Sequence, residues 1–248
     1  MRAPTSATNV TETIVQDLGV AIVTGRFDDM PFPRESELSE TYKAARTVTR
    51  EAVKMLTSKG LLTSRRRRGI VVNDEDQWNL LDPDVMRWLL ERKFSWQLLI
   101  EFTEIRLSIE PGAAALAAKR ASGEERAAID DAIKRMFAAD RGEDDPLASD
   151  IAFHLAVLQA SGNRFYRQHR EMIETALRFS IRKTNDLKGV RFASAKDHKR
   201  VADAILAGKT QEAETGMRDL IGGALDLMER VQKDEKRAKS RLERNSQK

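Results

Sequence analysis

The chain has 248 residues, 33% of them charged and 6% aromatic, and contains no cysteine. That length accommodates two modest domains, and the lack of cysteine excludes disulfides and thiolate metal sites. The N-terminus carries no apolar signal segment and no run approaches the roughly 18 apolar residues that span a bilayer, so the expected compartment is cytoplasmic and no membrane partner is expected. The net charge of +4 is unevenly placed: residues 1–73 hold 12 Lys or Arg against 8 Asp or Glu, whereas residues 74–248 hold 31 of each.

Residues 1–9 are small and polar and read as a frayed arm. A first helix is predicted from about Thr11, burying Ile14, Val15, Leu18 and Ile22 and ending near Gly25. Pro31 and Pro33 then impose an extended passage. Residues 35–42 form a second short helix with Leu38 inward, and residues 43–45 turn into a third. In the third, Arg46, Arg50 and Lys54 recur on one face, with Val48, Ala52 and Met55 opposite. Two helices joined by so short a turn match a helix-turn-helix. Gly60 is a plausible helix stop. After it, Leu61-Leu62 and Ile70-Val71-Val72 bracket Arg65, Arg66, Arg67, Arg68 and Gly69, the pattern of a hairpin wing with a basic tip. Between residues 43 and 68, nine Lys or Arg stand against the single acid Glu51. Such a field suits a polyanion, and double-stranded DNA is the expected partner. Arg46, Thr47 and Arg50 would reach the major groove, and the four wing arginines phosphate or the minor groove. Thr47 could alternatively only cap its helix, with one or two wing arginines merely solvated.

Residues 74–84 read as a linker ending in Asp82-Pro83, a cap followed by a first-turn proline, with Trp78 and Trp88 expected to pack it onto the second domain. Residues 85–233 are predicted to form an all-α bundle of six or seven helices. The helices fall at 95–120, 122–140, 145–161, 163–186, 194–207 and 209–233, with Pro111 expected to kink the first. Residues 234–248 read as a charged, solvated tail. The fold class is therefore mainly α, a winged helix-turn-helix over residues 1–73 followed by a helical bundle.

Polar residues interrupt the apolar faces of that bundle. Leu147, Ile151, Leu155 and Leu158 mark a buried stripe, with Asp150 and His154 four residues apart along its edge. His198 shares a face with Val201, Ala202 and Ile205, whereas His169 lies in a polar run and reads as surface. A carboxylate and two imidazoles turned inward need partners. A divalent metal would supply one, and a simple ion pair between Asp150 and His154 is the rival.

The N-terminal residues resemble the GntR family of bacterial transcription regulators in its FadR-like branch. The resemblance rests on Pro33 and Glu35 opening the second helix, Arg46, Arg50 and Glu51 in the third, and Arg68-Gly69 closing the wing. Ser36 stands where the family often has a base-contacting Arg, Lys43 and Ala45 replace a turn Gly and Ser, and Arg67 replaces a wing Gly. The bundle is similar to the FadR C-terminal (FCD) effector and dimerisation domain. Residues 76–91 look like the sugar-acid-responsive, galactonate-type members. The resemblance implies a homodimeric regulator of operator DNA, a repressor answering to a sugar acid or other small carboxylate. It further implies a divalent metal, Zn, Ni or Mn, held by Asp150, His154 and His198, with Phe153 completing the Asp-x-x-Phe-His motif. Leu220 stands at the usual third histidine. Arg106 corresponds to a cation facing the effector, its rival reading being a surface pair with Glu110. Ser194 could donate to effector oxygens or cap its helix. A metal hydrolase and an effector-independent architectural DNA-binding protein are the alternatives from other classes.

Overall fold

The computed structural model describes residues 7–65, 69–89, 92, 95–184 and 194–246. It divides the chain into two compact units, Met1–Phe94 and Ser95–Lys248. In the first, α1 (Ala7–Val23), α2 (Glu35–Tyr42) and α3 (Arg46–Ser58) are followed by the antiparallel hairpin β1 (Leu62–Arg65) and β2 (Gly69–Val72), in which Leu62 pairs with Val72 and Arg65 with Gly69. Helix α1 starts earlier than Thr11, and its Ile14, Val15, Leu18 and Ile22 are buried with Leu38, Ala52, Val53, Leu56 and Leu61.

The core side of α3 is turned slightly from the predicted stripe. Thr49, Ala52, Val53 and Leu56 are buried, while Val48 and Met55 are half-buried. Thr49 can lie inside because its hydroxyl is satisfied: Oγ1 donates to the Arg46 carbonyl at 3.1 Å and lies 3.0 Å from the Ser39 hydroxyl, tying α3 to α2. Between these helices Lys43 adopts a left-handed conformation with φ of 49°. A side chain there costs about 1–2 kcal/mol relative to ordinary backbone, which accounts physically for a glycine preference at this turn. Helix α3 ends as its sequence implies. The amides of Gly60 and Leu61 donate to the Thr57 and Leu56 carbonyls, at 3.0 and 3.1 Å, the paired bonds of a Schellman stop.

Residues 74–89 correct an expectation. They fold onto the first unit instead of bridging to the second, whose boundary falls at Ser95. The Trp78 indole donates to the Asn73 carbonyl at 2.9 Å, and Lys59 Nζ reaches Asp82 and Asp84 at 2.9 and 2.8 Å. Helix α4 (Pro83–Leu89) packs on α1. Its Trp88, 1% exposed, donates from Nε1 to Gln16 Oε1 at 2.8 Å. The indole lies over Gly19, whose missing side chain makes the space: a Cβ there would fall 2.5–2.6 Å from three ring carbons.

The second unit is helical throughout its described residues. It comprises α5 (Trp96–Arg120), α6 (Gly123–Asp140), α7 (Pro146–Ala160), α8 (Arg164–Gln168), α9 (Arg170–Thr184), α10 (Ala195–Leu206) and α11 (Thr210–Ser246). Polar N-caps open the helices where the sequence places them: Ser95, Ser122, Asp145, Asn163 and Ser194. Helix α5 continues through Pro111 as one element and packs against α7, α9, α10 and α11. The helix predicted over 163–186 divides at His169 into α8 and α9, and residues 185–193 lie outside the described residues. The tail read as charged and solvated is helical as far as Ser246, where α11 ends.

The seating of Trp88 predicts the effect of one methyl group. Gly19→Ala must displace the indole or bend α1, so the first unit should lose about 1–3 kcal/mol and its thermal midpoint should fall. An unchanged midpoint would place Trp88 elsewhere.

Candidate functional site

Two places gather the residues singled out by sequence. On the first unit, Arg46, Thr47 and Arg50 are exposed on the first turns of α3. The N-cap is Ala45, with no side-chain cap bond, so Thr47 does not cap the helix. Arg50 is 60% exposed and its Nε lies 3.3 Å from Glu35 Oε2, a contact worth little in water. Arg65 is exposed at the end of β1. Arg66, Arg67 and Arg68 lie outside the described residues.

The second place is inside the second unit, where α5, α7 and α10 converge. Asp150 and His154 do not lie at the edge of α7 but at the middle of its buried face, 3% and 2% exposed, with Leu147 and Leu155 half-buried beside them. His198 of α10 is equally buried. Phe153 meets both imidazoles edge-on, with centroids 5.4 and 5.0 Å away, and walls off one side. Asp150 Oδ1 lies 3.0 Å from His198 Nε2 and 3.9 Å from His154 Nε2, and the two Nε2 atoms are 3.3 Å apart.

The other ring nitrogens decide what these three atoms are. His198 Nδ1 lies 2.8 Å from the Ser194 carbonyl, and His154 Nδ1 meets Glu110 Oε2. Carbonyl and carboxylate oxygens accept only, so both Nδ1 atoms carry hydrogen. In neutral imidazoles both Nε2 atoms then present lone pairs, and with Asp150 Oδ1 three acceptors converge without a donor. Only a cation at their centre, a proton or a metal ion, relieves that. The spacings are those of neighbouring ligands on one ion with bonds of about 2.0–2.2 Å, so this donor set fits a divalent metal.

Arg106, predicted to face an effector, is brought to the same cluster. It is 5% exposed, so its pairing with Glu110, Nε to Oε1 at 2.6 Å, is buried and not a surface contact. Its Nη2 lies 3.4 and 3.2 Å from Nδ1 and Nε2 of His154. Such near-equal distances put it across the ring, off the line of the Nε2 lone pair. Ser194 is placed differently. Its side chain caps α10 by accepting from the Asp197 amide, and it lines an open groove of about 400 Å³ with Asp197, Arg200, Asp219, Leu220 and Leu227. It joins the cluster only through its backbone carbonyl. His169 is half-buried at the break between α8 and α9.

Glu110 is the member sequence reasoning missed. At 1% exposure it is a fully buried carboxylate. The available signal was its position four residues after Arg106, but i,i+4 pairs of this kind are usual on exposed helix faces. Burial raises the pKa of Glu110, yet the charges of Arg106 and His154 and their hydrogen bonds prevail and bring it from 4.5 to about 2. With the imidazoles protonated, burial likewise raises that of Asp150 but is outweighed by the His198 hydrogen bond and the charges of His154, His198 and Arg106, for a net lowering.

The sign of the pH effect follows. Carboxyls held below their unfolded values bind fewer protons when folded, so their contribution is present above the unfolded pKa and is lost as pH falls through the folded one. For Glu110, between 4.5 and about 2, that share is on the order of 3 kcal/mol. Urea unfolding of the metal-free chain should show stability falling across this window, with a smaller fall in Glu110→Gln. Equal falls would contradict the charge assignment.

Comparison with known proteins agrees with this architecture. Residues 10–72 match the family model of bacterial regulatory proteins, gntR family, and residues 101–223 match the FCD domain. The galactonate operon transcriptional repressor of Escherichia coli is 31% identical over 226 residues, covering 90% of this chain and 98% of the repressor. A putative L-lactate dehydrogenase operon regulatory protein of the same organism is 28% identical, covering 84% of this chain and 81% of its own. The solved structure of Lar from Listeria monocytogenes, at 16% identity, has a TM-score of 0.52 over 93% of this chain and 100% of that one, a likeness of fold alone. Head, helical unit and relatives agree, and the chain belongs to the GntR family of bacterial regulatory proteins, as a transcription regulator with an FCD domain and not as an enzyme.

Proposed function

We propose that this regulator binds operator DNA as a homodimer and represses a catabolic operon until a small carboxylate, of the sugar-acid class, occupies the second unit. The exposed start of α3 supports Arg46, Thr47 and Arg50 as readers of the major groove, Arg being suited to guanine O6 and N7. Arg65 to Arg68 are assigned to phosphate or the minor groove. A single winged helix offers limited contact area, which favours a symmetric dimer on two half-sites. The galactonate repressor among the relatives supports the effector class and the sign of regulation.

The observation carrying the sensor half is the convergence of three lone-pair atoms, from Asp150, His154 and His198, on one buried point. These residues would hold a divalent ion of the Zn, Ni or Mn type, and Leu220 at the usual third histidine leaves coordination positions to water or effector. Bound there, the ion would supply a Lewis-acidic anchor for an effector oxygen. Arg106 would bind the carboxylate, since a guanidinium has five N–H donors and the bond to Glu110 does not exhaust them. Ser194 is assigned a lesser role at the start of α10, holding His198 through its carbonyl.

Two measurements test this. Anisotropy titration with the duplex upstream of the gene should show Arg50→Ala weakened by about 1–3 kcal/mol. Equal loss on random duplex would reassign Arg50 to the backbone. Equilibrium dialysis should find Zn, Ni or Mn on the wild type and much less on His154→Ala. No metal on either would leave the cluster as a protonated ion-pair network.

A further inference from the structure

We propose that Glu110 is a positioning residue that sets the tautomer of His154 and so presents its Nε2 lone pair to the ligand cluster. This deepens the metal reading above and rests on it. Glu110 is the one carboxylate of the cluster that cannot itself join the ligand set, because both its oxygens are engaged. Oε1 accepts from Arg106 Nε at 2.6 Å and Oε2 faces His154 Nδ1. Burying such a group is costly unless each oxygen is bonded, and here each bond does something specific.

The bond to His154 decides which nitrogen is a donor. A ring that gives its Nδ1 hydrogen to a carboxylate has Nε2 free, aimed at Asp150 and His198, and the anionic partner strengthens that lone pair as a ligand. Without Glu110, the ring can carry its hydrogen on Nε2 instead and donate to His198 Nε2, 3.3 Å away. That hydrogen would point into the space between the ligand atoms, and a metal would have to displace it. The bond to Arg106 decides the orientation of whatever replaces the carboxylate. In Glu110→Gln the side-chain oxygen must still accept from Arg106 Nε, since the guanidinium only donates. The amide nitrogen is thereby left facing His154 Nδ1, and that nitrogen can bond to it only as an acceptor. A substitution of nearly equal size should therefore invert the tautomer. His198 provides the internal control, because its Nδ1 is held by the Ser194 carbonyl at 2.8 Å and Glu110 does not touch it.

The test uses the full chain labelled with 15N-histidine, whose three histidines are assigned from His154→Gln and His169→Gln. Long-range proton–nitrogen spectra of the metal-free wild type should show hydrogen on Nδ1 of His154. Glu110→Gln should move it to Nε2 and leave His198 unchanged. Cobalt titration followed by its visible absorption should be weakened about 10–100-fold in Glu110→Gln, with exposed Glu104→Gln as the unaffected control. A His154 in the wild type with no hydrogen on Nδ1 overturns the inference even if the variant does not fold. So does equal cobalt affinity in a folded variant. Failure of the wild type to take up cobalt overturns the metal reading and, with it, the purpose assigned to Glu110.

Discussion

The second unit depends on burying five ionisable side chains together. Arg106 and Glu110 of α5, Asp150 and His154 of α7, and His198 of α10 are each at most 5% exposed. Any one removed leaves another charged or polar group without a partner, at a cost of several kcal/mol. The three helices are therefore held in one mutual register by their chemistry, where an apolar interface could slide. Phe153 packs edge-on against both imidazoles and closes one side of the cluster. A cation would be the counterpart of the convergent lone pairs, and on the function proposed above it would make this costly core a receptor for a metal and an acid.

The first unit is built on the opposite principle. Its core is apolar, and Arg46 and Arg50 on α3 face outward where they remain hydrated and available. Glu35 shares Arg50 in the free protein through an exposed contact at 3.3 Å, weak enough for a phosphate or base to displace. Rigidity comes from small polar ties. The Thr49 and Ser39 hydroxyls lock the helix pair, and Lys59, Asp82 and Asp84 together with Trp88 and Gln16 fasten residues 74–89 onto the same body. Whatever distinguishes DNA-competent from incompetent states must favour one arrangement over the other, and a head that moves as one body can answer such a bias.

Much of this was legible in the sequence, for physical reasons. Helix periodicity and capping chemistry located α2, α3, the turn between them, the hairpin and most of the bundle, and the Asp150-x-x-Phe153-His154 spacing with His198 marked residues that the fold brings together. Periodicity reports which face a residue occupies but not how deep that face is buried. Asp150 and His154 therefore read as an edge when they are a centre, and Glu110 read as one end of a surface pair. Val48 read as a core residue, whereas the buried neighbour is Thr49, whose hydroxyl becomes a core group through its Ser39 partner. Trp88 had an apolar surface available on either side. The choice of α1 was written in Gly19 and Gln16, two residues that carry no pattern of their own. The length of α11 was hidden because a strongly charged helix and a solvated tail have the same composition.

The central claim is that a buried acid and metal receptor governs the grip of the basic head. Its most direct measurement starts from the preformed complex of wild-type protein with the duplex upstream of its gene, challenged with a panel of sugar acids and hydroxy acids with and without a chelator. The account predicts that one class of acid releases the duplex, that chelation blunts the release, and that Arg106→Met keeps the DNA but no longer answers. Release by no acid, or release indifferent to both chelator and Arg106, would contradict it.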